Sequence, residues 1–159
     1  MQPPKKFYTW DDVQRMCADI CQQIALDGWR PDYVVGITRG GNIPATLISH
    51  YLNVRCEALK IKMRDLEPDE DGTCSDTGMA EDAYDGKKIL VVDDINDTGA
   101  TFDLIKNYIN YDVLKFRFAC LIENKASKFK SNYWGKLIDK KLKPTWIIFP
   151  WERDINSSK

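Results

Sequence analysis

The 159 residues predict one α/β domain spanning 1–159, with a central, mostly parallel sheet flanked by helices. Three observations carry that expectation. Apolar runs of strand length alternate with stretches of helical periodicity, which is the pattern of strand–helix–strand units. Two of those runs open directly into short turns rich in small residues and then into helices. The 43% hydrophobic and 30% charged shares are those of a chain able to bury a core of its own.

Thr9 followed by Trp10-Asp11-Asp12 reads as a helix N-cap with acidic residues in the first turn. Trp10, Val13, Cys17, Ile20, Cys21 and Ile24 recur at helical spacing until Asp27-Gly28 closes the helix. Tyr33 to Ile37 is a short apolar run, the signature of a buried strand. The turn Arg39-Gly40-Gly41 precedes a second helix from about Pro44 to Leu52, with proline in its first turn. Cys56 to Lys62 alternates and suits a strand. Residues 63–86 hold nine Asp or Glu, seven of them up to Glu81, three glycines and little periodicity, so they are expected to form a long irregular loop. Lys88 to Val92 is the next strand, Gly99 to Ile109 the next helix, and Lys115 to Ile122 and Trp146 to Phe149 two further strands.

The composition excludes several classes of function. A formal net charge of -1 offers no general attraction for nucleic acid or acidic membranes. No apolar stretch is long enough to span a bilayer, and the start Met1-Gln2-Pro3-Pro4-Lys5-Lys6 lacks the apolar core of a signal peptide. Five cysteines with no CxxC pair suit a reduced, cytoplasmic setting. Cys17 and Cys21 stand four residues apart, but with no second ligand pair they read as a core-facing stripe. The single histidine, His50, falls late in a helix, which leaves no basis for a Ser-His-Asp hydrolase or a multi-histidine zinc enzyme.

The two turns lie at the carboxyl ends of their strands, where open parallel sheets bind ligands. Ile89-Leu90-Val91-Val92-Asp93-Asp94-Ile95-Asn96-Asp97-Thr98-Gly99-Ala100-Thr101 joins a buried strand, an acidic pair and a small-residue turn that opens a helix. That turn aims backbone N–H groups and two hydroxyls at one point, a phosphate site. Carboxylates beside a phosphate make sense when the ligand also carries vicinal hydroxyls and a metal.

This segment resembles the phosphoribosyl pyrophosphate (PRPP) signature of the type I phosphoribosyltransferases, and the match is complete over its thirteen positions. The resemblance implies that fold, with a flexible lid loop at about 63–86 and a small C-terminal hood at about 123–152. It implies that Asp93 and Asp94 hold the ribose hydroxyls and lie near Mg²⁺, itself bound mainly by PRPP oxygens. Thr98, Gly99, Ala100 and Thr101, with Asp97, are implied for the 5′-phosphate side of PRPP. Gly36-Ile37-Thr38-Arg39-Gly40-Gly41 resembles the family's pyrophosphate loop, so Arg39, Gly40 and Gly41 are implied for the leaving group, along with a cis peptide at Thr38–Arg39. Lys62 and Arg64 are implied to reach the pyrophosphate from the lid.

Lys125 and the ending Trp146-Ile147-Ile148-Phe149-Pro150-Trp151-Glu152 are similar to the base-binding hood of the xanthine–guanine phosphoribosyltransferases. There a Lys reads a 6-oxo group and a Trp stacks on the purine. Lys125, Trp146, Ile147 and Glu152 are the implied base-binding residues, and Asp97 the implied general base. Two departures stand out: Ile148 takes the place of an acidic residue, and Tyr133-Trp134-Gly135 reads as an insertion. The resemblance therefore implies a purine-salvage transferase that joins PRPP to a free 6-oxopurine base, with xanthine, hypoxanthine and guanine all open. It also implies a homodimer or homotetramer. A PRPP- or nucleotide-sensing protein on the same scaffold, or a transferase for another base, are the alternatives.

Overall fold

The computed structural model describes residues 2–62, 73–74, 78–109 and 113–152. In chain order these form β1 (Lys5–Phe7), α1 (Trp10–Leu26), β2 (Tyr33–Ile37), α2 (Asn42–Leu52), β3 (Arg55–Leu59), β4 (Ile61–Lys62), β5 (Thr73–Cys74), α3 (Met79–Tyr84), β6 (Ile89–Asn96), α4 (Ala100–Ile109), β7 (Phe116–Asn124), β8 (Tyr133–Ile138) and β9 (Trp146–Ile148). Five strands make one sheet in the order β3-β2-β6-β7-β8, and every neighbouring pair is parallel. The α/β architecture with a parallel central sheet is the one the alternating runs predict.

Alternation along each strand sends side chains to two separate cores. Val34, Leu90, Val92, Ala119 and Leu121 face α1 and α2, and meet Val13, Met16, Cys17, Ile20 and Ile48 there. Val35, Ile37, Ile89, Val91, Phe118 and Cys120 face the other way, against Met79, Ala83, Phe102, Ile105 and Ile109 of α3 and α4. The sheet is thus covered on both faces, as an all-parallel sheet requires. The α1 N-terminus is the expected one: Thr9 Oγ1 accepts from Asp12 N–H at 3.1 Å, and Asp12 reciprocates from Thr9 N–H at 2.8 Å. Trp10, expected on the apolar stripe, is 54% exposed instead. Cys17 is buried and its thiol is pushed up to about 12, Cys21 to about 11, both by desolvation. Neither is a ready metal ligand.

Four corrections to the sequence reading bear on the site. The long irregular loop ends early, because Met79 to Tyr84 form α3, whose Met79 and Ala83 are in the core. Its other described part is a short antiparallel ribbon, β4 with β5. Residues 63–72 and 75–77, where most of the expected lid falls, lie outside the described residues, as do Arg64 and the side chain of Lys62. Tyr133-Trp134-Gly135, where the sequence reading gave no element, begins edge strand β8. Finally, Lys5–Phe7 form a strand that pairs in parallel with Trp146–Ile148, which adds an N-terminal strand to the segment expected to form the hood.

Candidate active site

The sheet's register makes the site. β2 pairs with β6 only from Tyr33–Ile89 to Gly36–Val92, whereas β7 accompanies β6 as far as Asn96. The last residues of β6, Asp93 to Asn96, therefore run past the end of β2. The open ground beside them is filled by the turn after β2. A Cβ on Gly40 would come within 2.1 Å of Asp94 Oδ2, and one on Gly41 within 2.5 Å of the Val92 carbonyl oxygen. At Gly41 no larger residue fits without moving backbone, whereas one at Gly40 would displace the Asp94 carboxylate. Gly41 N–H donates to Ile37 O at 2.9 Å and Thr38 N–H to Leu59 O at 2.9 Å, which pins the turn at both sides. The Thr38–Arg39 peptide is cis.

Asp93 and Asp94 sit half-buried at this edge. Asp93 Oδ1 accepts from Asp94 N–H at 2.9 Å, and Asp94 Oδ1 from Ile95 N–H at 2.8 Å. Desolvation, followed by repulsion from Asp94, holds the Asp93 carboxyl well above the ordinary value of 3.8. Desolvation also raises Asp94, with Glu152 adding to the repulsion. Two neighbouring carboxylates kept uncomfortable in this way are suited to a cation or to sugar hydroxyls, either of which would relieve them.

The turn after β6 is shaped by Gly99, at φ +91°. A Cβ there would also meet Phe129 N at 2.5 Å. Thr98 Oγ1 accepts from Ala100 N–H at 3.2 Å, and Gly99 O accepts from Asp103 N–H at 2.9 Å, so the turn runs directly into α4. From below it is braced by the β7–β8 connection, where Lys128 N–H donates to Thr98 O at 3.1 Å. Behind that connection lies a buried polar cluster. Glu123 accepts from Ser131 Oγ at 2.6 Å and from Asn96 Nδ2 at 3.1 Å, and Ser127 Oγ donates to Asn96 Oδ1 at 3.0 Å.

Arg39, Gly40, Asp93, Asp94, Asp97, Thr98, Gly99, Ala100, Thr101, Trp146, Ile147 and Glu152 all border one cavity of about 780 Å³. Of the residues expected to contact a ligand, Gly41 and Lys125 are not on its wall. Gly41 lies one residue further in and shapes the turn through its contact with Val92. Lys125 follows β7, gives its N–H to Ile138 O at 2.8 Å, and projects an exposed side chain. The cavity holds a different lysine. Lys140 Nζ donates to Asp97 Oδ2 at 2.7 Å, while Asn124 Nδ2 donates to Asp97 Oδ1 at 3.0 Å.

A family model for the phosphoribosyl transferase domain matches residues 5–158. The chain belongs to that family. The xanthine-guanine phosphoribosyltransferase of Cereibacter sphaeroides is 29% identical to it over 150 residues, covering 91% of this chain and 84% of that protein. The hypoxanthine-guanine phosphoribosyltransferase of Schizosaccharomyces pombe is 25% identical over 190 residues, with 96% and 91% covered. The crystal structure of a purine phosphoribosyltransferase from Pyrococcus horikoshii superposes with a TM-score of 0.75 at 24% identity, over 98% of this chain and 99% of that one. At that identity the superposition speaks for the shared fold.

Sequence reasoning had missed three features of this phosphoribosyl transferase domain: the N-terminal strand, which brings Pro3 to the cavity, the buried Asn124, and Lys140. β1 is only three residues long, too short for periodicity to register. Asn124 is invisible as a functional residue because its partners are distant in sequence. Lys140 stands in Lys140-Lys141-Leu142-Lys143, where composition marks no one lysine as special.

Proposed function

We propose that this domain transfers the 5-phosphoribosyl group of PRPP to a 6-oxopurine, giving a nucleoside monophosphate and pyrophosphate. One observation carries the reading: a carboxylate pair, a phosphate-sized turn at a helix start, an arginine-bearing turn and a Trp-Ile wall all border the same cavity. These are the complements of ribose hydroxyls, a 5′-phosphate, a pyrophosphate and a flat heterocycle.

In this reading Asp93 and Asp94 take the ribose hydroxyls, and the N–H groups and hydroxyls of 98–101 take the 5′-phosphate. Arg39 and the turn at Gly40 hold the pyrophosphate, with Gly41 behind them. Trp146 and Ile147 flank the base, near Glu152. As the base's N9 lone pair bonds to the anomeric carbon, the carbon–oxygen bond to pyrophosphate breaks, and pyrophosphate departs with those electrons. Asp97 accepts the proton released from N7, held in place by Asn124. The half-buried Asp93–Asp94 pair fits Mg²⁺. Among the described residues no cluster of three or more His, Cys, Asp or Glu is placed to hold a metal, so most of the ion's ligands would come from substrate and water. When bound it supplies positive charge against the leaving pyrophosphate.

Cys17, Cys21, Cys56 and Cys120 carry free thiols, which supports a reduced, cytoplasmic setting. Among the described residues no helix is long and apolar enough to cross a membrane. Assembly into a homodimer or homotetramer belongs to the same proposal.

The test is PRPP-dependent nucleotide formation with xanthine, hypoxanthine, guanine, adenine and uracil, with and without a chelator, beside an Asp97→Ala variant. Turnover confined to 6-oxopurines, abolished by the chelator and reduced ~10²–10⁴-fold in the variant, is expected. PRPP binding with no turnover of any base would overturn the reading in favour of a PRPP-sensing protein.

A further inference from the structure

No step of the transfer uses the buried polar cluster behind the β7–β8 connection. Glu123 is only 2% exposed, yet among the described residues no lysine, arginine or histidine forms an ion pair with it. Its partners are neutral donors: Ser131 Oγ at 2.6 Å, Ser131 N–H at 3.3 Å, Asn96 Nδ2 at 3.1 Å and the Cys120 thiol at 3.1 Å. Burial holds that thiol well above its ordinary value, so it stays protonated and able to donate. A buried carboxyl with no cation beside it is costly, and an apolar side chain of similar shape would be at least as stable there. Stability alone is therefore a poor reason for the cluster.

A better reason lies in the segments it joins. Asn96 ends β6, directly before Asp97, and Glu123 stands near the close of β7. Asn96 Nδ2 reaches Glu123 and also donates to Phe129 O at 2.7 Å, while Ser127 Oγ lies 3.0 Å from Asn96 Oδ1 and 2.8 Å from Phe129 O. Residues 127–131 are thus drawn tight beneath the turn after β6. Phe129 is seated there beside Phe118 and Phe102, with ring centroids 4.8 Å and 5.5 Å away. The turn rests on this platform. A Cβ on Gly99 would come within 2.5 Å of Phe129 N and 2.9 Å of Ser127 Oγ, and Thr98 O accepts from Lys128 N–H at 3.1 Å.

We propose that Glu123, acting through Asn96, is a positioning residue for the 5′-phosphate: it clamps residues 127–131 under the turn after β6 and so fixes where Thr98 to Thr101 present their N–H groups and hydroxyls. The assignment rests on the transferase reading above and deepens it, because it names a group that touches no substrate but sets the shape of the phosphate turn.

The polarity of the Glu123–Asn96 bond supplies the test. Asn96→Ala and Glu123→Gln each weaken the link, and Asn96→Asp sets a second carboxyl against the first. Each is expected to raise the KM for PRPP ~10-fold, with the KM for hypoxanthine within about twofold. A residue that merely supported the fold would lower the active fraction, and with it kcat, while leaving both KM values in place. Combining Asn96→Asp with Glu123→Gln restores an acceptor facing a donor, and Ser127 Oγ is placed to donate to Phe129 O in place of the lost amide. The double variant is expected to have a KM for PRPP at least ~3-fold below that of Asn96→Asp alone. Amide hydrogen exchange in the ligand-free protein gives a readout that needs no turnover. The 98–101 amides should exchange ~10-fold faster in the single variants, slow again in the double variant, and leave the β2 amides at the wild-type rate throughout. If the wild type turns over no base, the transferase reading falls, and the exchange pattern still decides the assignment. Unchanged exchange at 98–101 in Asn96→Ala and Glu123→Gln, or an equal rise in both KM values, would overturn it.

Discussion

The two ends of the cavity are built differently. The proposed phosphate end comes from one continuous stretch, Asp93 to Thr101, plus a turn that glycine lets approach it. The proposed base end is collected from Pro3 just before β1, the loop after β8, and β9, with Asn124 at the close of β7 behind it. The first is a backbone device, in which a strand end, a left-handed glycine and a helix start make the shape. The second is a side-chain device, in which Asn124, Lys140, Trp146 and Ile147 meet only because the fold brings them together. It follows that the phosphate end tolerates almost no change in backbone shape, while the base end can be retuned residue by residue.

The largest effect should come from breaking the backbone device. Gly99→Ala places a Cβ at φ +91° and within 2.5 Å of Phe129 N. Moving that turn by about 1 Å is expected to raise the KM for PRPP ~100-fold, read from initial rates at saturating base. The KM for base should change far less, and an equal rise in both would dissolve the distinction between the two ends.

Asp93→Asn comes next, and it separates function from stability. Loss of a charged acceptor for a ribose hydroxyl should weaken PRPP binding by ~10–100-fold in calorimetry. Stability should move the other way. Because burial raises the Asp93 carboxyl above 3.8 in the folded chain, the folded state holds that proton more tightly than the unfolded one. Its contribution is fully present below the unfolded value and is lost as pH rises through the higher folded value. At neutral pH the ligand-free variant should therefore melt roughly 2–4 °C higher than wild type, the shift expected of about 1 kcal/mol at this size. The difference should shrink as pH falls toward the ordinary carboxylate range. A variant that melts lower at pH 7 would contradict this account.

The smallest effect is expected at the base end. Trp146 is 61% exposed, so its face is open to a stacked base. Trp146→Ala should raise the KM for the purine about tenfold, the scale of one base–aromatic stack, and leave that for PRPP within about twofold. Melting temperature should barely move, since the side chain buries little.

The legibility of the molecule follows the same division. β2, β6, β7, α1, α2 and α4 were readable because strand and helix periodicities are local, and because Thr9 and Asp12 mark a helix start in four residues. Errors gathered where context outvotes local signal. α3 hides in an acidic stretch, held by Met79 and Ala83 against a core that the stretch itself does not announce. β8 exposes Trp134, Lys136 and Leu137 at the sheet edge, so no clean alternation marks it as a strand until Ala119 and Cys120 are seen beside Tyr133 and Trp134.

By itself, the sequence determined the parallel α/β core and the strand–turn–helix stretch proposed as the phosphate end. Both depend on residues that are neighbours along the chain, where periodicity, a glycine and a helix start act within a few positions. Tertiary structure alone decided the base end. Which lysine reaches Asp97 depends on where Asn124, at the close of β7, meets the loop after β8. That meeting is produced by the packing of the whole sheet, so no local pattern distinguishes Lys140 from Lys125.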